Sequence, residues 1–578
     1  MGRICLRLLG DRLRIEPTAI DIGPVGRPTA LPPLDRLLQS WEKKNGLVQL
    51  YPGKDEGEWW KGARYRFVVA LAELVQVHRL LTRVLSKLPE SPRQVVIRGG
   101  AESAATTATA LASALLWPSA AITIRDSSKG IGAALYRTRR AIGLKRRRLG
   151  LKRLAKMGPH SGRLRVALME SEVQWTGGRD KDLWSVERAL RAHGVEVVAL
   201  VSPCQDWQKN VAGLKERPAN HIFTDQLRPK SKPQRPVPPS RGSMGPFRFE
   251  GRDFTPFVRW WMARAAPEHE FAPLDDKWYG LMARLRPDVL VTAHEHYDDG
   301  LVRRLAKKFG CKLGVVQHGV ITDYHPLYIF PKMARGRVMM PWRQFVYSEV
   351  EAKILVRRSI YDRRKIRVVG SPEWDGLRDG PFARRRNEAL SERKFLFHDP
   401  IRILFTSQPG LREDLLRQLF DGISRSFPRA ELRIRLHPRE RTGGHWSGPA
   451  RRYRNGNVRF SRNGRLDTDL FWADVHLSFT SSCIFHAVMA GVPTVLVGNY
   501  GESWRKEFLA KGLAVDAAQG VGKAIKLWRK AGALERFEAG RAHYLKASGI
   551  PPGRAGERIA QELILASKSP ERDRSFPA

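Results

Sequence analysis

Lys312-Leu-Gly-Val-Val-Gln-His-Gly319 is the stretch from which the fold can be read. A short apolar run, suited to a buried strand, stops abruptly at Gln317-His318-Gly319. The same pattern returns downstream. Ile401-Arg-Ile-Leu-Phe405 runs into Thr406-Ser407-Gln408-Pro409-Gly410, and Glu431-Leu-Arg-Ile-Arg435 into Leu436-His437-Pro438. Val475-His-Leu-Ser-Phe479 runs into Thr480-Ser481-Ser482, with Ala490-Gly491-Val492-Pro493 beyond. Such runs, alternating with helical patterns, argue for α/β architecture with parallel sheets. Ligands of open parallel sheets bind beyond the carboxyl ends of the strands, where these polar clusters fall.

Working outward, a strand is predicted at Arg163-Leu-Arg-Val-Ala-Leu-Met169, a loop at Trp175-Thr-Gly-Gly178, a helix over 183–193 and a strand over 195–201. The Pro-, Arg- and Ser-rich residues 225–253 read as a mobile surface loop. Pro287-Asp-Val-Leu-Val-Thr292 is a further strand and 300–309 a helix; a helix over 412–426 and a strand over 494–497 complete the later block. The pattern predicts two facing Rossmann-like domains, residues 163–385 and 386–567, joined near 370–395. An additional N-terminal α/β region of unassigned role occupies 1–135. There Gln94-Val-Val-Ile-Arg-Gly-Gly100, an Ala/Thr/Leu helix and Ala121-Ile-Thr-Ile-Arg125 read as a plain βαβ turn, not a nucleotide fingerprint. Residues 136–162 are a basic linker or amphipathic helix, since Arg137 to Lys156 holds ten Lys/Arg and no acid. Residues 568–578 form a short, frayed tail.

Composition narrows the classes. The 578 residues carry 102 Lys+Arg against 58 Asp+Glu, a formal net charge of +44. With 42% hydrophobic residues, 16 Trp and 23 Phe, the chain is no disordered polycation. Cys5, Cys204, Cys311 and Cys483 form no C-x-x-C pair, which argues against a disulfide scaffold or zinc ribbon and for a reducing compartment. The start has no signal-peptide core, and the least polar stretch, Ala104 to Ile124, is broken by Pro118. The charge surplus suits a polyanion: nucleic acid, anionic lipid or an acidic polymer. It is also what a GC-rich genome favouring Arg would produce.

Each polar cluster has a chemical use. His318 could deprotonate an acceptor hydroxyl as general base. His437, stiffened by Pro438, could donate to a diphosphate and offset charge on a departing nucleotide. Ser481 and Ser482, at a predicted helix start, could hold phosphate oxygens or serve as ordinary caps. Taken together, Gln317-His318-Gly319, Gly370-Ser371-Pro372, Arg435-Leu436-His437-Pro438 and Thr480-Ser481-Ser482 with Gly491-Val492-Pro493 resemble the GT-B enzymes of bacterial surface-polymer synthesis. These are the teichoic acid glycerophosphotransferases, capsule polysaccharide transferases and bacterial polysialyltransferases. The resemblance covers roughly residues 163–560.

It implies a GT-B type fold and a role for each motif. His437-Pro438 would contact the donor phosphate, and Thr480, Ser481 and Ser482 would do so from the opposite helix. Gly370, Gln408 and Arg435 would complete the donor side. His318 matches the histidine proposed as base in the glycerophosphotransferases, whereas Asp298-Asp299-Gly300 fits the acid-acid-Gly motif of the sialyltransferase branch. The two compete for one role, with His318 preferred. The chain departs from the pattern at Phe479-Thr480, where an acid is common, and at His486, where many nucleotide-sugar transferases carry glutamate. The second departure favours inversion by single displacement.

The expected activity is a glycosyltransferase or glycerophosphotransferase with a CMP-, CDP- or UDP-linked donor. The acceptor would be a glycan, a polyol-phosphate or a lipid-linked chain of a cell-surface polymer. The site needs no metal or cofactor, and His294-Glu295-His296 is a poor zinc signature. The expected location is the cytoplasm, peripherally on the anionic inner face of the plasma membrane. Three rivals stand beside this reading: a nucleic-acid or polyanion-binding protein, which lacks a recognisable nucleic-acid motif; a sugar-nucleotide epimerase, for which no dedicated acid pair is evident; and a scaffold without activity.

Overall fold

The computed structural model describes residues 3–9, 12–16, 20–24, 74–75, 94–99, 121–126, 162–171, 175–176, 179–180, 182–202, 221–223, 246–249, 252–255, 276–293, 299–323, 328–330, 335, 339–377, 400–408, 413–437, 457–461, 466–479, 481–498 and 503–568. The expected helix after Gly100, the basic stretch 137–156, His294-Glu295-His296, Asp298, Pro438, Thr480 and the tail after 568 lie outside them.

The amino-terminal region is a mixed sheet of β1 (Arg3–Leu9), β2 (Arg12–Glu16), β3 (Ile20–Pro24), β4 (Gln94–Gly99) and β5 (Ala121–Asp126), in the order β3-β2-β1-β4-β5. β4 and β5 pair in parallel, whereas β1, β2 and β3 form an antiparallel meander.

The second sheet contains β6 (Arg165–Ser171), β7 (Glu196–Ser202), β8 (His221–Phe223), β9 (Val289–Thr292), β10 (Lys312–Val316), β11 (Arg343–Val346) and β12 (Ile366–Val368). They are ordered β8-β7-β6-β9-β10-β11-β12, and every pairing is parallel. The third sheet repeats the plan with β13 (Arg402–Thr406), β14 (Glu431–Arg435), β15 (Val458–Ser461), β16 (Val475–Ser478), β17 (Thr494–Leu496) and β18 (Ala514–Asp516). Its order is β15-β14-β13-β16-β17-β18, again all parallel. Both sheets start in the middle, run outward one way and then the other, which is the doubly wound order.

The sequence explains these elements. Val289, Leu290, Val291 and Thr292 are all buried, as strands covered by helices on both faces must be. Helices bury one stripe: Val302, Leu305 and Ala306 in α3 (Asp299–Phe309), and Leu416, Leu419, Phe420 and Ile423 in α5 (Glu413–Ser426). Here α1 is Trp184–Ala192, α2 Asp276–Leu285 and α4 Glu349–Arg358. The two sheets even share a fastening. In the second, the Arg165 backbone N–H donates to Asp288 Oδ2 and its carbonyl accepts the Asp288 N–H. In the third, Arg402 and Asp474 make the same two bonds. Each pair pins the first strand to its crossover neighbour.

Within the stretch expected to be a mobile loop, 225–253, the structure holds a hairpin of Arg248–Phe249 with Arg252–Asp253. Phe247 and Phe254 on either side are buried, and the Thr255 hydroxyl accepts the Phe247 N–H at 2.8 Å; apolar anchoring overrides the polar composition. Trp175–Thr176 likewise pairs with Arg179–Asp180 as a small ribbon in place of a plain loop.

The last described helix does not stay with its own domain. With α6 being Leu466–Trp472 and α7 Cys483–Met489, the chain continues to α8 (Ala555–Lys568), whose Ile559, Ala560 and Leu563 pack into the core of the second sheet with Val166, Leu168, Val291 and Phe345. Burying Ile559 and Leu563, both 0% exposed, stabilises by about 1.5–3 kcal/mol each. Asp375 caps the helix, its two oxygens accepting the Ala555 and Gly556 N–H groups at 2.7 and 2.9 Å. The two doubly wound domains are the GT-B type fold that was expected; the expected second domain, 386–567, gives up its last helix, whose apolar stripe covers the first domain's sheet.

Candidate active site between the two domains

The carboxyl edge of the second sheet is built around the Gln317 amide, which is buried. Its Oε1 accepts the Tyr347 N–H at 2.8 Å, and its Nε2 donates to the Gly319 carbonyl at 2.7 Å and to Glu351 Oε1 at 2.8 Å. Gln317 thus ties the ends of β10 and β11 to α4. Glu351 also accepts the Ser348 hydroxyl at 2.7 Å. Burial pushes its carboxyl up to about 7, against the pull of its hydrogen bonds from Ser348 and Gln317.

His318 comes next. Its backbone N–H donates to Tyr328 Oη at 2.8 Å, and Gly319 turns the chain away at a φ of +73°. A Cβ at Gly319 would meet nothing within 4 Å, so the positive φ of the turn is what calls for glycine here. His318 Nδ1 lies 3.0 Å from Asp182 Oδ2. Asp182 stands just before α1 and is 0% exposed. A buried carboxylate on Nδ1 orients the ring, keeps the proton on that nitrogen, and makes Nε2 the basic atom.

Beyond β12, Gly370 takes a φ of +81° and Pro372–Trp374 forms a 3-10 turn. This delivers Glu373 to the same place. One polar atom each from Asp182, His318 and Glu373 lies within 4.8 Å of the others, two oxygens and a nitrogen that could hold a divalent cation; no other such group occurs among the described residues. Tyr347 lies alongside. Its hydroxyl is pushed well above the ordinary tyrosine value, first by burial and then by the charges of Asp182 and Glu373.

The facing edge belongs to the third sheet. From it a polar ladder runs back into the sheet: Thr406 Oγ1 lies 2.9 Å from His476 Nε2, and His476 Nδ1 3.2 Å from Oγ1 of Thr494, the first residue of β17. Burial presses the His476 pKa down to about 3, so the ring is neutral, giving one threonine a proton and taking one from the other. Next to Thr406, the Ser407 hydroxyl accepts the His437 N–H at 2.9 Å, which fixes the backbone under that histidine. Arg435 donates to Asp469 Oδ2 at 2.8 Å, Arg433 to Asp469 Oδ1 at 3.0 Å, and Ser461 to the same carboxylate at 2.6 Å. The Arg435 guanidinium therefore belongs to an ion-pair network centred on α6. Ser481 Oγ accepts the Cys483 N–H at 3.2 Å as α7 begins, and Ser482 is exposed beside it. Gln408 is half-buried past the end of β13.

The two edges touch through His486, the histidine at the motif position where a glutamate is common, and a partner that no motif marks. Glu373 Oε2 lies 2.8 Å from Nε2 of His486, on α7 of the second domain.

Of the residues singled out in the sequence, His318 is brought together with Asp182 and Glu373, and His437 with Ser407. Asp299 is the first residue of α3, a position where an acid also complements the helix dipole. Asp182, Glu373, Glu351 and Asp469 were not singled out. Asp182 reads as an ordinary acid before a helix, and Glu373 directly follows Gly370-Ser371-Pro372, so only proximity in the fold reveals them.

No protein-family model matches the chain, and no curated protein does. Among solved structures, the UDP-GlcNAc 2-epimerase of Neisseria meningitidis is similar at 13% identity and a TM-score of 0.45, covering 70% of this chain and 100% of its own. A glycosyltransferase of Rickettsia africae is similar at 13% identity and a TM-score of 0.40, covering 71% and 100%. The wall teichoic acid polymerase TagF is similar at 12% identity and a TM-score of 0.44, covering 76% and 99%. Among the described residues, no helix is long and apolar enough to cross a membrane.

Proposed function

We propose that the protein is a GT-B transferase that moves a nucleotide-activated sugar or glycerophosphate onto an acceptor hydroxyl of a cell-surface glycopolymer. The observation that carries this reading is the Asp182–His318 pair, with 3.0 Å between Oδ2 and Nδ1, at the strand edge that faces the second domain. A histidine oriented by a buried carboxylate is suited to general-base work.

The acceptor hydroxyl gives its proton to His318 Nε2 as its oxygen attacks the activated carbon or phosphorus. The bond to the nucleotide phosphate breaks, and the nucleotide leaves with the electron pair. His437, Ser481, Ser482 and Gln408 hold that phosphate and offset its developing charge. Asp182 stabilises the imidazolium that forms. Arg435, through Asp469, sets the strand end that presents His437. The acceptor would be a glycan, polyol-phosphate or lipid-linked chain, and the net charge of +44 would draw an anionic acceptor or an anionic membrane face towards the enzyme.

The test is release of free nucleotide from CMP-, CDP- and UDP-activated donors in the presence of a bacterial envelope fraction. Wild-type protein should release one nucleotide selectively, and His318→Ala should abolish release. Equal release by the His318→Ala protein would exclude His318 as base. Absence of release from any donor, with tight salt-sensitive RNA or DNA binding, would favour the polyanion-binding alternative.

A further inference from the structure

Glu373 and His486 come from different domains; Glu373 lies in no motif, and His486 stands where many nucleotide-sugar transferases carry a glutamate. The two side chains are 11% and 12% exposed, so their contact is largely shielded from solvent. His486 Nε2 faces the Glu373 carboxylate at 2.8 Å, and its Nδ1 faces the Ser482 carbonyl at 3.3 Å. An oxygen therefore lies opposite each ring nitrogen, and the ring is held on both sides.

The packing around the pair is interdomain as well. Trp374, the next residue, meets the His486 ring edge-on at 6.2 Å and 87°, and lies 4.9 Å from the Tyr347 ring. Tyr347, Trp374 and Leu377 follow strands of the first domain yet join the hydrophobic core of the second, with Phe405, Phe479 and Phe485. The Pro372–Trp374 turn therefore reaches from the edge that carries His318 into the helix that Ser481 and Ser482 open. The same Glu373 carboxylate also lies within 4.8 Å of the Asp182 and His318 polar atoms. Glu373 thus lies between the Asp182–His318 pair and the His486 ring.

We propose that Glu373 and His486 are a positioning pair that sets the donor-side helix α7 in register with the Asp182–His318 base, so that acceptor and donor meet in reacting geometry only while the pair is made. This rests on the transferase reading for its chemistry, but its structural half stands apart from it. Neither residue touches the reacting atoms in this scheme. Each acts through the element that carries it.

The experiment compares wild type, Glu373→Gln, His486→Gln and the double variant. Hydrogen–deuterium exchange of segments 371–377 and 483–489, without ligand, tests the contact itself. Both segments should exchange faster in either single variant, and the double should be no faster than the singles, because one contact is lost in every case. Unchanged exchange in the single variants, or additive increases in the double, would overturn the proposal whatever the chemistry is.

Steady-state kinetics then test the positioning. With the nucleotide-activated donor that wild type uses, kcat should fall by about 10²-fold, the loss typical of a misplacement of about 1 Å. The midpoint for protection by the matching free nucleotide should move less than about threefold, because the donor helix itself stays intact. Faster exchange with unchanged kcat would overturn the positioning role. If wild type binds no nucleotide, the transferase reading falls, while the exchange result still decides the contact.

Discussion

Asp182 and His318 lie 136 positions apart in the chain, yet Asp182 Oδ2 sits 3.0 Å from His318 Nδ1 with the carboxylate wholly buried. Removing the base through His318→Ala should lower kcat by about 10²–10⁴-fold, the usual contribution of a general base. Asp182→Asn should lower it substantially too, because an amide can turn the ring to the wrong tautomer. In both variants, protection of the protein by free nucleotide should survive. Loss of nucleotide protection together with kcat would show that the variants had unfolded the cleft and had not merely removed the base.

Glu351 should make stability depend on pH in an unusual direction. Its folded pKa of about 7 stands above the ordinary carboxylate value of 4.5, so the folded state binds more protons between those values. Stability from this group is therefore greatest in acid and declines as pH rises from about 4.5 to about 7, by about 3 kcal/mol. Glu351→Gln should remove that slope. Urea unfolding at pH 5, 6 and 7.5 measures it, and equal slopes in the two proteins would show that Glu351 is ionised throughout.

His476 should act with the opposite sign. Its pKa falls from 6.5 in the unfolded chain to about 3 in the folded one, so the unfolded state gains protons first. Stability from this group is complete above about 6.5 and is lost as pH falls towards 3. Between about 4.5 and 6.5 the two groups oppose each other, and only variants separate them. In the Glu351→Gln background, stability should fall steadily with acid over this range, and a flat profile would show that His476 is already protonated in the folded protein.

The returning helix offers a test of the domain crossing. Asp375→Ala removes the cap on Ala555 and Gly556 and should cost about 1–2 kcal/mol. Gly556→Ala should cost more than an ordinary helix glycine change, because a Cβ there would lie 2.5 Å from the Ser185 carbonyl carbon. Ala is the better helix former, so any stabilisation by this change in thermal unfolding would contradict the close approach.

Much of this architecture is legible in the chain because parallel strands are buried on both faces. Runs such as Val289 to Thr292 and Lys312 to Val316 are visible as apolar blocks without alternation, and the polar residues that follow mark the ligand edge. β11 and β12 were missed: Arg343-Gln-Phe-Val346 and Ile366-Arg-Val368 are short and interrupted by polar residues, and Gln344 is buried only because its amide finds backbone oxygens at the Val315 and Phe345 carbonyls. The path of α8 was also hidden, since an amphipathic helix does not say which sheet its apolar stripe will cover. Site residues at motif positions could be named from local sequence. Asp182 and Glu373 are functional candidates only through contacts at separations of more than 100 residues, which no local pattern encodes, and His486, visible in the sequence as a departure from the motif, gains its partner in the same way.

A nucleotide-activated donor in the cleft between the two domains is tested most directly by thermal unfolding of the purified chain with CMP, CDP, UDP and GDP, beside His437→Ala. A nucleotide at 100 times its Kd stabilises the folded state by about 2.7 kcal/mol. Tm should rise with one base in preference to the others, and the rise should be lost in the variant. No rise with any of the four, in protein whose unfolding is cooperative, would contradict it.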